Sequence, residues 1–137
     1  MNGRATIQKS ADIWNSGDRE AFLACYTDDC EITSNLGTDK GRAAVAAYWA
    51  AYNDPHPGNQ VRVGVLIEVG DSVAEEAITT GTNTGPLRAP DGGEIPPTGR
   101  EFTLPFAALH TVRDGKITSS RFYWNDLAVM AQLGLLP

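Results

Sequence analysis

Cysteine is scarce in this chain: Cys25 and Cys30 are the only two in 137 residues. Two thiols with no leader ahead of them do not make a disulfide framework, and they read as reduced. Cys25-x4-Cys30 has no second Cys or His pair downstream, so no zinc site and no other metal is expected. No run approaches the 18 consecutive apolar residues of a membrane span. The start, Met1-Asn2-Gly3-Arg4-Ala5-Thr6, has no apolar leader, which sets a cytoplasmic address as the expectation. Positive charge is also short. Eleven Lys and Arg face 17 Asp and Glu, a net charge of −6, which disfavours nucleic acid and anionic membrane as partners. Charged residues make up only 20% against 42% hydrophobic, a balance that excludes disorder. One domain over residues 1–137 fits, and at that length a core buries roughly 68% of the unfolded chain's surface without metal or disulfide.

The first third reads as helical. Ile7, Ala11 and Trp14 form one apolar stripe that stops at Asn15-Ser16-Gly17. Asp18 can cap a second helix with Phe22, Cys25 and Tyr26 inward. Cys30 to Ser34 reads as a short strand, and a third helix from near Gly41 carries Val45, Tyr48, Trp49 and Tyr52 up to Asn53-Asp54-Pro55. From Val61 the period becomes 2: Val61, Val63, Val65, Ile67 and Val69 mark one face of a strand. Gly70-Asp71 suits a two-residue turn into an antiparallel partner, Ser72 to about Thr84. Gly85 to Gly99, with four prolines and four glycines, reads as a long loop of the kind that forms lids. A second hairpin, Arg100 to Arg113 and Lys116 to about Asn125, turns at Asp114-Gly115, and a short helix from about Asp126 closes the chain. The expected fold is α+β: helices on one side of a curved antiparallel sheet, enclosing a cavity.

Trp14-Asn15-Ser16-Gly17-Asp18, followed by Tyr26-x-Asp28-Asp29, resembles the opening of nuclear transport factor 2-like proteins. Gly81-Thr82-Asn83-Thr84-Gly85, Pro96-Pro97-Thr98-Gly99-Arg100, Asp114-Gly115-Lys116-Ile117 and Gln132-Leu133-Gly134, in that order, resemble SnoaL-like polyketide cyclases within that superfamily. The resemblance spans nearly the whole chain. It implies a cone-shaped, cystatin-like fold around a hydrophobic cavity, a hydrophobic small-molecule ligand and a homodimer through the sheet. It also implies cofactor-free aldol cyclisation or isomerisation of a polyketide-like carbonyl compound, by an Asp on the last strand and a His on the preceding one. Those positions fall here on Phe122 or Tyr123 and on Ala108. The related steroid isomerases place their base near Ser34 or Asn35 and their donors near Ser10 and Ala108. The Arg-x-Asp of the epoxide-hydrolase branch is absent from the strands. A non-catalytic, ligand-binding or accessory role is therefore the alternative.

Other residues are candidates for the chemistry. Counting from Asp114-Gly115 pairs His110 with Ser119, Ala108 with Arg121 and Phe106 with Tyr123, unless a bulge intervenes. If Ala108 points into the cavity, as the resemblance implies, His110, Ser119, Arg121 and Tyr123 share its face. His110 suits general acid/base work near neutrality, or is a strand histidine satisfied by hydrogen bonding. Counting from Gly70-Asp71 puts Glu76 opposite Val65 on the valine face, where desolvation would make it a base; the alternative is a paired interface carboxylate. Asp126 is a catalytic candidate or the cap of the last helix. Arg121, Tyr123, Asn83, Trp14, Trp49 and Phe106 are the candidate substrate contacts. Arg121 has an ion pair as its alternative, Tyr123 plain packing, and Asn83 turn hydrogen bonds. Cys25 has no adjacent His to activate it, and His56, between two prolines, is expected in solvent.

Overall fold

The computed structural model describes residues 2–89 and 91–136. Helix α1 (Gly3–Ser16) starts at Asn2, whose side chain accepts from the Ala5 backbone N–H, and ends at Gly17 in the left-handed conformation. Its stripe Ile7, Ala11 and Trp14 is buried, as the spacing requires. Helix α2 (Arg19–Leu23), capped by Asp18, has only five residues, so Cys25 and Tyr26 lie beyond it. The chain then enters strand β1 (Tyr26–Ser34), which returns through the exposed strand β2 (Gly37–Lys40) to α3 (Arg42–Asn53). Strands β3 (Gln60–Val69) and β4 (Ser72–Thr82) form the first long hairpin. The expected loop contains a small hairpin, β5 (Leu87–Arg88) with β6 (Glu94–Ile95). Strands β7 (Glu101–Arg113) and β8 (Lys116–Trp124) form the second long hairpin, and α4 (Asp126–Gln132) ends the described elements.

The main sheet runs β2-β1-β8-β7-β4-β3. It is antiparallel except for β1 beside β8, a parallel pair that brings the N-terminal third against the last strand. Helices α1, α2 and α3 cover one face, and their aromatic residues form the core with the inner face of the sheet. Trp14, Phe22 and Trp49 pack within 4.8–5.4 Å of one another, around Tyr26, Val45, Val73 and Ile117. Burying aromatic rings of that size, at roughly 25 cal/mol per Å², is the main force drawing the helices onto the sheet.

Both hairpin turns lie where the glycines place them, with Val69 opposite Ser72 and Arg113 opposite Lys116. Each hairpin also contains a bulge. In β3 the register steps at Gly64, so Val61 and Val63 face the helices while Val65, Ile67 and Val69 face outward. In β8 the register steps at Thr118, so His110 pairs with Ser120 and Ala108 with Phe122. One extra residue inverts every side chain beyond it. These two steps decide which residues line the interior.

Candidate active site

A cavity of about 160 Å³ lies between the helices and the inner face of the sheet. Tyr26, Glu75 and His110 form its floor. Trp14, Tyr48, Phe106 and Phe122 are among its walls, and the exposed Asp126 and half-buried Leu87 and Met130 mark its rim. The walls are largely aromatic, so the polar groups on them are few and closely defined.

The deepest of these groups form one chain. Glu75 Oε1 lies 2.7 Å from His110 Nε2, and His110 Nδ1 lies 2.7 Å from Ser120 Oγ. Ser120 Oγ is 2.9 Å from Tyr26 Oη. All four residues are 6% exposed or less. One arrangement satisfies every donor with a neutral imidazole: Tyr26 donates to Ser120, Ser120 donates to Nδ1, and Nε2–H donates to the Glu75 carboxylate. Burial holds the Tyr26 phenol well above its ordinary range, so it stays a donor. Tyr48 stacks on Phe122 with centroids 4.9 Å apart, and burial likewise keeps its hydroxyl protonated. Its hydroxyl has no hydrogen-bond partner among the described residues, and Glu75 is close enough to be felt electrostatically.

Of the residues proposed from sequence, His110, Trp14 and Phe106 line the cavity. Trp14 also donates from Nε1 to Asn59 Oδ1 at 2.8 Å. Glu76 does not reach the site. It pairs with Val65 as the turn count requires, but the Gly64 bulge puts both on the outer face, where Glu76 is exposed. Its neighbour Glu75 is the carboxylate that faces inward. Arg121 and Tyr123 are likewise outside, exposed, because the Thr118 bulge turns Ser120, Phe122 and Trp124 inward in place of Ser119, Arg121 and Tyr123. Trp49 packs behind Trp14 in the core and does not line the cavity. Asp126 lies at the rim, where its carboxylate accepts from Trp124 Nε1 at 3.3 Å; the cap of α4 is Asn125, one residue earlier.

Asn83 is fully buried and outside the cavity lining. Its side-chain amide donates to the carbonyls of Pro55 and Gly85, and its oxygen accepts from the Thr98 N–H and hydroxyl. It is the hub that ties the segment after α3 to both ends of the 85–99 loop. Gly85 is required there, since a Cβ would come 1.9 Å from the Asp54 carbonyl oxygen. The segment so held carries His56, which is buried against Phe102 (centroids 4.6 Å apart) and not in solvent. Burial lowers its pKa to about 4, partly offset by the nearby Pro55 carbonyl.

Both cysteines are free and buried, and burial pushes the Cys25 thiol up, against a role as nucleophile. Among the described residues no three His, Cys, Asp or Glu side chains gather in a way that would hold a metal ion. Among them, too, no helix is long and apolar enough to cross a membrane.

The family profile described as SnoaL-like domain matches residues 7–120. The chain belongs to the SnoaL-like family. Its structure is that family's nuclear transport factor 2-like cone. A proposed polyketide cyclase from Xanthomonas campestris pv. campestris is 30% identical, with 95% of each chain covered and a TM-score of 0.80. A proposed SnoaL-like polyketide cyclase from Jannaschia sp. CCS1 is 26% identical over 97% of this chain and 92% of that one, with a TM-score of 0.82. IdmH, a proposed polyketide cyclase from Streptomyces antibioticus, is 26% identical over 96% and 97%, with a TM-score of 0.78. No curated protein sequence matches this one significantly.

In this SnoaL-like domain the resemblance expects the His at Ala108 and the Asp at Phe122 or Tyr123; of these, Ala108 and Phe122 pair across β7 and β8. Both are buried, and Phe122 lines the cavity. The sequence pointed to His110 on the cavity wall but not to Glu75, Tyr26, Tyr48 and His56, which line the same cavity, nor to Ser120, which bonds to His110. The one available signal for Glu75 was Gly64, because a glycine inside a strand often marks a bulge.

Proposed function

We propose that this SnoaL-like protein is a cofactor-independent acid/base catalyst for enolisation of a small hydrophobic carbonyl compound, with Glu75 as base. The observation that carries the reading is the Glu75–His110–Ser120–Tyr26 chain at the floor of an aromatic cavity. The imidazole hydrogen bond fixes one carboxylate oxygen of Glu75 and leaves the other to face a cavity whose walls are largely aromatic. Glu75 takes the proton from the carbon beside the carbonyl, and the C–H electron pair moves onto the carbonyl oxygen. The Tyr48 hydroxyl, on the cavity wall and still protonated, is the proposed donor to that oxygen. Glu75 then returns the proton to the far carbon of a conjugated enolate, giving isomerisation, or the enolate carbon bonds to a second carbonyl carbon and the alkoxide so formed takes the proton from Glu75, giving aldol closure. His110 positions the base, and Ser120 and Tyr26 fix the tautomer that lets Nε2–H do so.

Proton exchange tests this without knowledge of the substrate. Incubation with cyclohexanone or phenylacetone in D2O, followed by proton NMR, is expected to show deuterium incorporation above buffer. Glu75→Gln keeps the hydrogen bond from His110 but removes the base, and is expected to lower the rate 10²-fold or more. Exchange undiminished in Glu75→Gln refutes Glu75 as the base. The second reading, a ligand-binding protein without turnover, is favoured by Ala108 and Phe122 at the expected catalytic positions. It predicts ketone binding with no exchange at all.

The outer sheet face is proposed as the homodimer surface, because Val65, Ile67, Val69, Leu109 and Tyr123 leave large apolar groups exposed there. Light scattering is expected to return twice the 14.7 kDa protomer mass, and Ile67→Glu to return the protomer.

A further inference from the structure

The cavity contains a second polar wall group that the Glu75 chemistry does not use. His56 is 93% buried, lines the cavity, and rests on Phe102 of β7. Its Nδ1 is sealed from solvent and has no hydrogen-bond partner. A sealed lone pair is tolerated better than a sealed N–H, so Nδ1 is the bare nitrogen and Nε2 carries the proton. Neither nitrogen is bonded to another side chain among the described residues, and the one carbonyl near the ring, that of Pro55, already accepts from Asn83 and Gly85, although buried polar groups in native proteins nearly always have a partner of their own. The ring is also fixed in place from outside. Asn83 and Gly85 both bond to the carbonyl of Pro55, the residue before it. An orphan imidazole held this firmly on a cavity wall lacks a partner that arrives with the ligand.

We infer that His56 is a ligand-anchoring group whose Nε2–H donates to an oxygen at the far end of the bound molecule from Glu75. The registers give the separation. Glu75 pairs with Ala108, and Phe102, under His56, pairs with Gly81. Six strand residues at about 3.3 Å each put roughly 20 Å of sheet between them, less the inward reach of the two side chains. The walls between are apolar, including Leu104, Phe106 and Trp124. At about 10–15 Å³ per water-sized group, the cavity volume seats on the order of ten non-hydrogen atoms. The ligand class that fits is a slender acyl-type chain with one carbonyl at the Glu75 end, an apolar middle and a second carbonyl or hydroxyl oxygen at the His56 end. The inference rests on the cavity being the ligand site, but not on turnover, so a binding readout separates it from the catalytic reading.

The experiment compares 2,9-decanedione with 2-decanone, two probes of equal chain length with two carbonyls and one. Binding is followed by the fluorescence of Trp14 and Trp124 in the cavity wall. The wild type is expected to bind the dione 3- to 10-fold more tightly, the gain of one buried hydrogen bond. His56→Phe is expected to keep the affinity for 2-decanone within about 2-fold and to lose the preference. Equal affinities for the two ketones in the wild type, no binding of either, or a preference unchanged in His56→Phe overturns the assignment. Should His56→Phe not fold, proton–nitrogen NMR of the wild type decides: the dione, and not 2-decanone, must shift the His56 Nε2 resonance. Absence of that shift overturns it equally.

Discussion

Acidification gives the sharpest test of how His56 is held. The imidazole is buried, has an orphan nitrogen, and is lowered from 6.5 to about 4 by the loss of water around it. In the unfolded chain it titrates at its ordinary value, so between pH 6.5 and 4 the unfolded state binds a proton that the folded state refuses. Stability from this residue is therefore fully present above pH 6.5, falls as the pH drops through that window and levels off below about 4. At 1.36 kcal/mol per unit the gap is worth about 3 kcal/mol as a ceiling, of which about 2.5 kcal/mol is lost by pH 4.5. That is a large part of the 5–15 kcal/mol that folds a typical domain. Carboxylates titrate in the lower part of the same range, so the measurement is a difference. Urea unfolding of wild type and His56→Phe at pH 7.5, 6.5, 5.5 and 4.5, at fixed protein concentration, cancels every group the two proteins share. The variant keeps an aromatic ring on Phe102 and has no proton to refuse. It is expected to gain on the wild type by about 2 kcal/mol or more between pH 7.5 and 4.5. A difference that is flat with pH, within about 0.5 kcal/mol, refutes the burial argument.

Three further outcomes follow from the same network of contacts. Asn83→Ala removes four hydrogen bonds from a fully buried hub, and an expected cost of about 3 kcal/mol or more is read from its urea midpoint, with Asn83→Asp only partly restoring it. Gly85→Ala forces a carbon against the Asp54 carbonyl; it is expected to cost at least as much and to shift the His56 resonances, since the same backbone holds that ring. Ser120→Ala leaves both the Tyr26 hydroxyl and His110 Nδ1 unpaired, about 1–3 kcal/mol. Adding Tyr26→Phe removes one of the two orphans, so the double variant is expected to be less destabilised than the two single costs combined, and strict additivity would break the proposed chain.

Where local chemistry decides structure, the fold was legible in the residues. The stripe Ile7, Ala11 and Trp14 gives α1 because it repeats at the helical period. Gly70-Asp71 and Asp114-Gly115 turn the hairpins because their glycines accept positive φ, and Asp114 itself adopts it at 52°. What escaped was decided by long-range pairing. β2 consists of Gly37, Thr38, Asp39 and Lys40, all exposed and without periodicity, and it is a strand only because β1 offers its edge. Cys25 and Tyr26 satisfy a helical spacing after Phe22, but α2 stops at Leu23 and Tyr26 joins β1 beside β8. His56 illustrates the same point. Its prolines suggest a solvated loop, and only the Asn83 hub, 28 residues from the Pro55 carbonyl it holds, buries it.

The site was half legible for a single reason, which is parity. Residue types were read correctly: a histidine on β7, a carboxylate on β4 and a hydroxyl on β8 do converge. The turns fix which residues face each other near the hairpin ends, and counting outward is valid only while each strand contributes one residue per step. Gly64 and Thr118 each add one. Beyond Gly64, valine alternation no longer marks the inner face, so Val65 and Glu76 go out while Leu66 and Glu75 come in. Beyond Thr118, Ser120 replaces Ser119 beside His110, and Phe122 replaces Arg121 and Tyr123. The burial pattern supplies the energetic reason for these choices. The bulged registers bring Phe122 and Trp124 to the aromatic wall and leave Arg121 in water, whereas regular registers would bury a guanidinium with no carboxylate assigned to it and expose two large rings. The cost of an unpaired buried charge, several kcal/mol, exceeds that of one interrupted ladder hydrogen bond, so the bulges are the lower-energy solution. The hydrogen-bonded chain at the cavity floor is a consequence of the same two insertions.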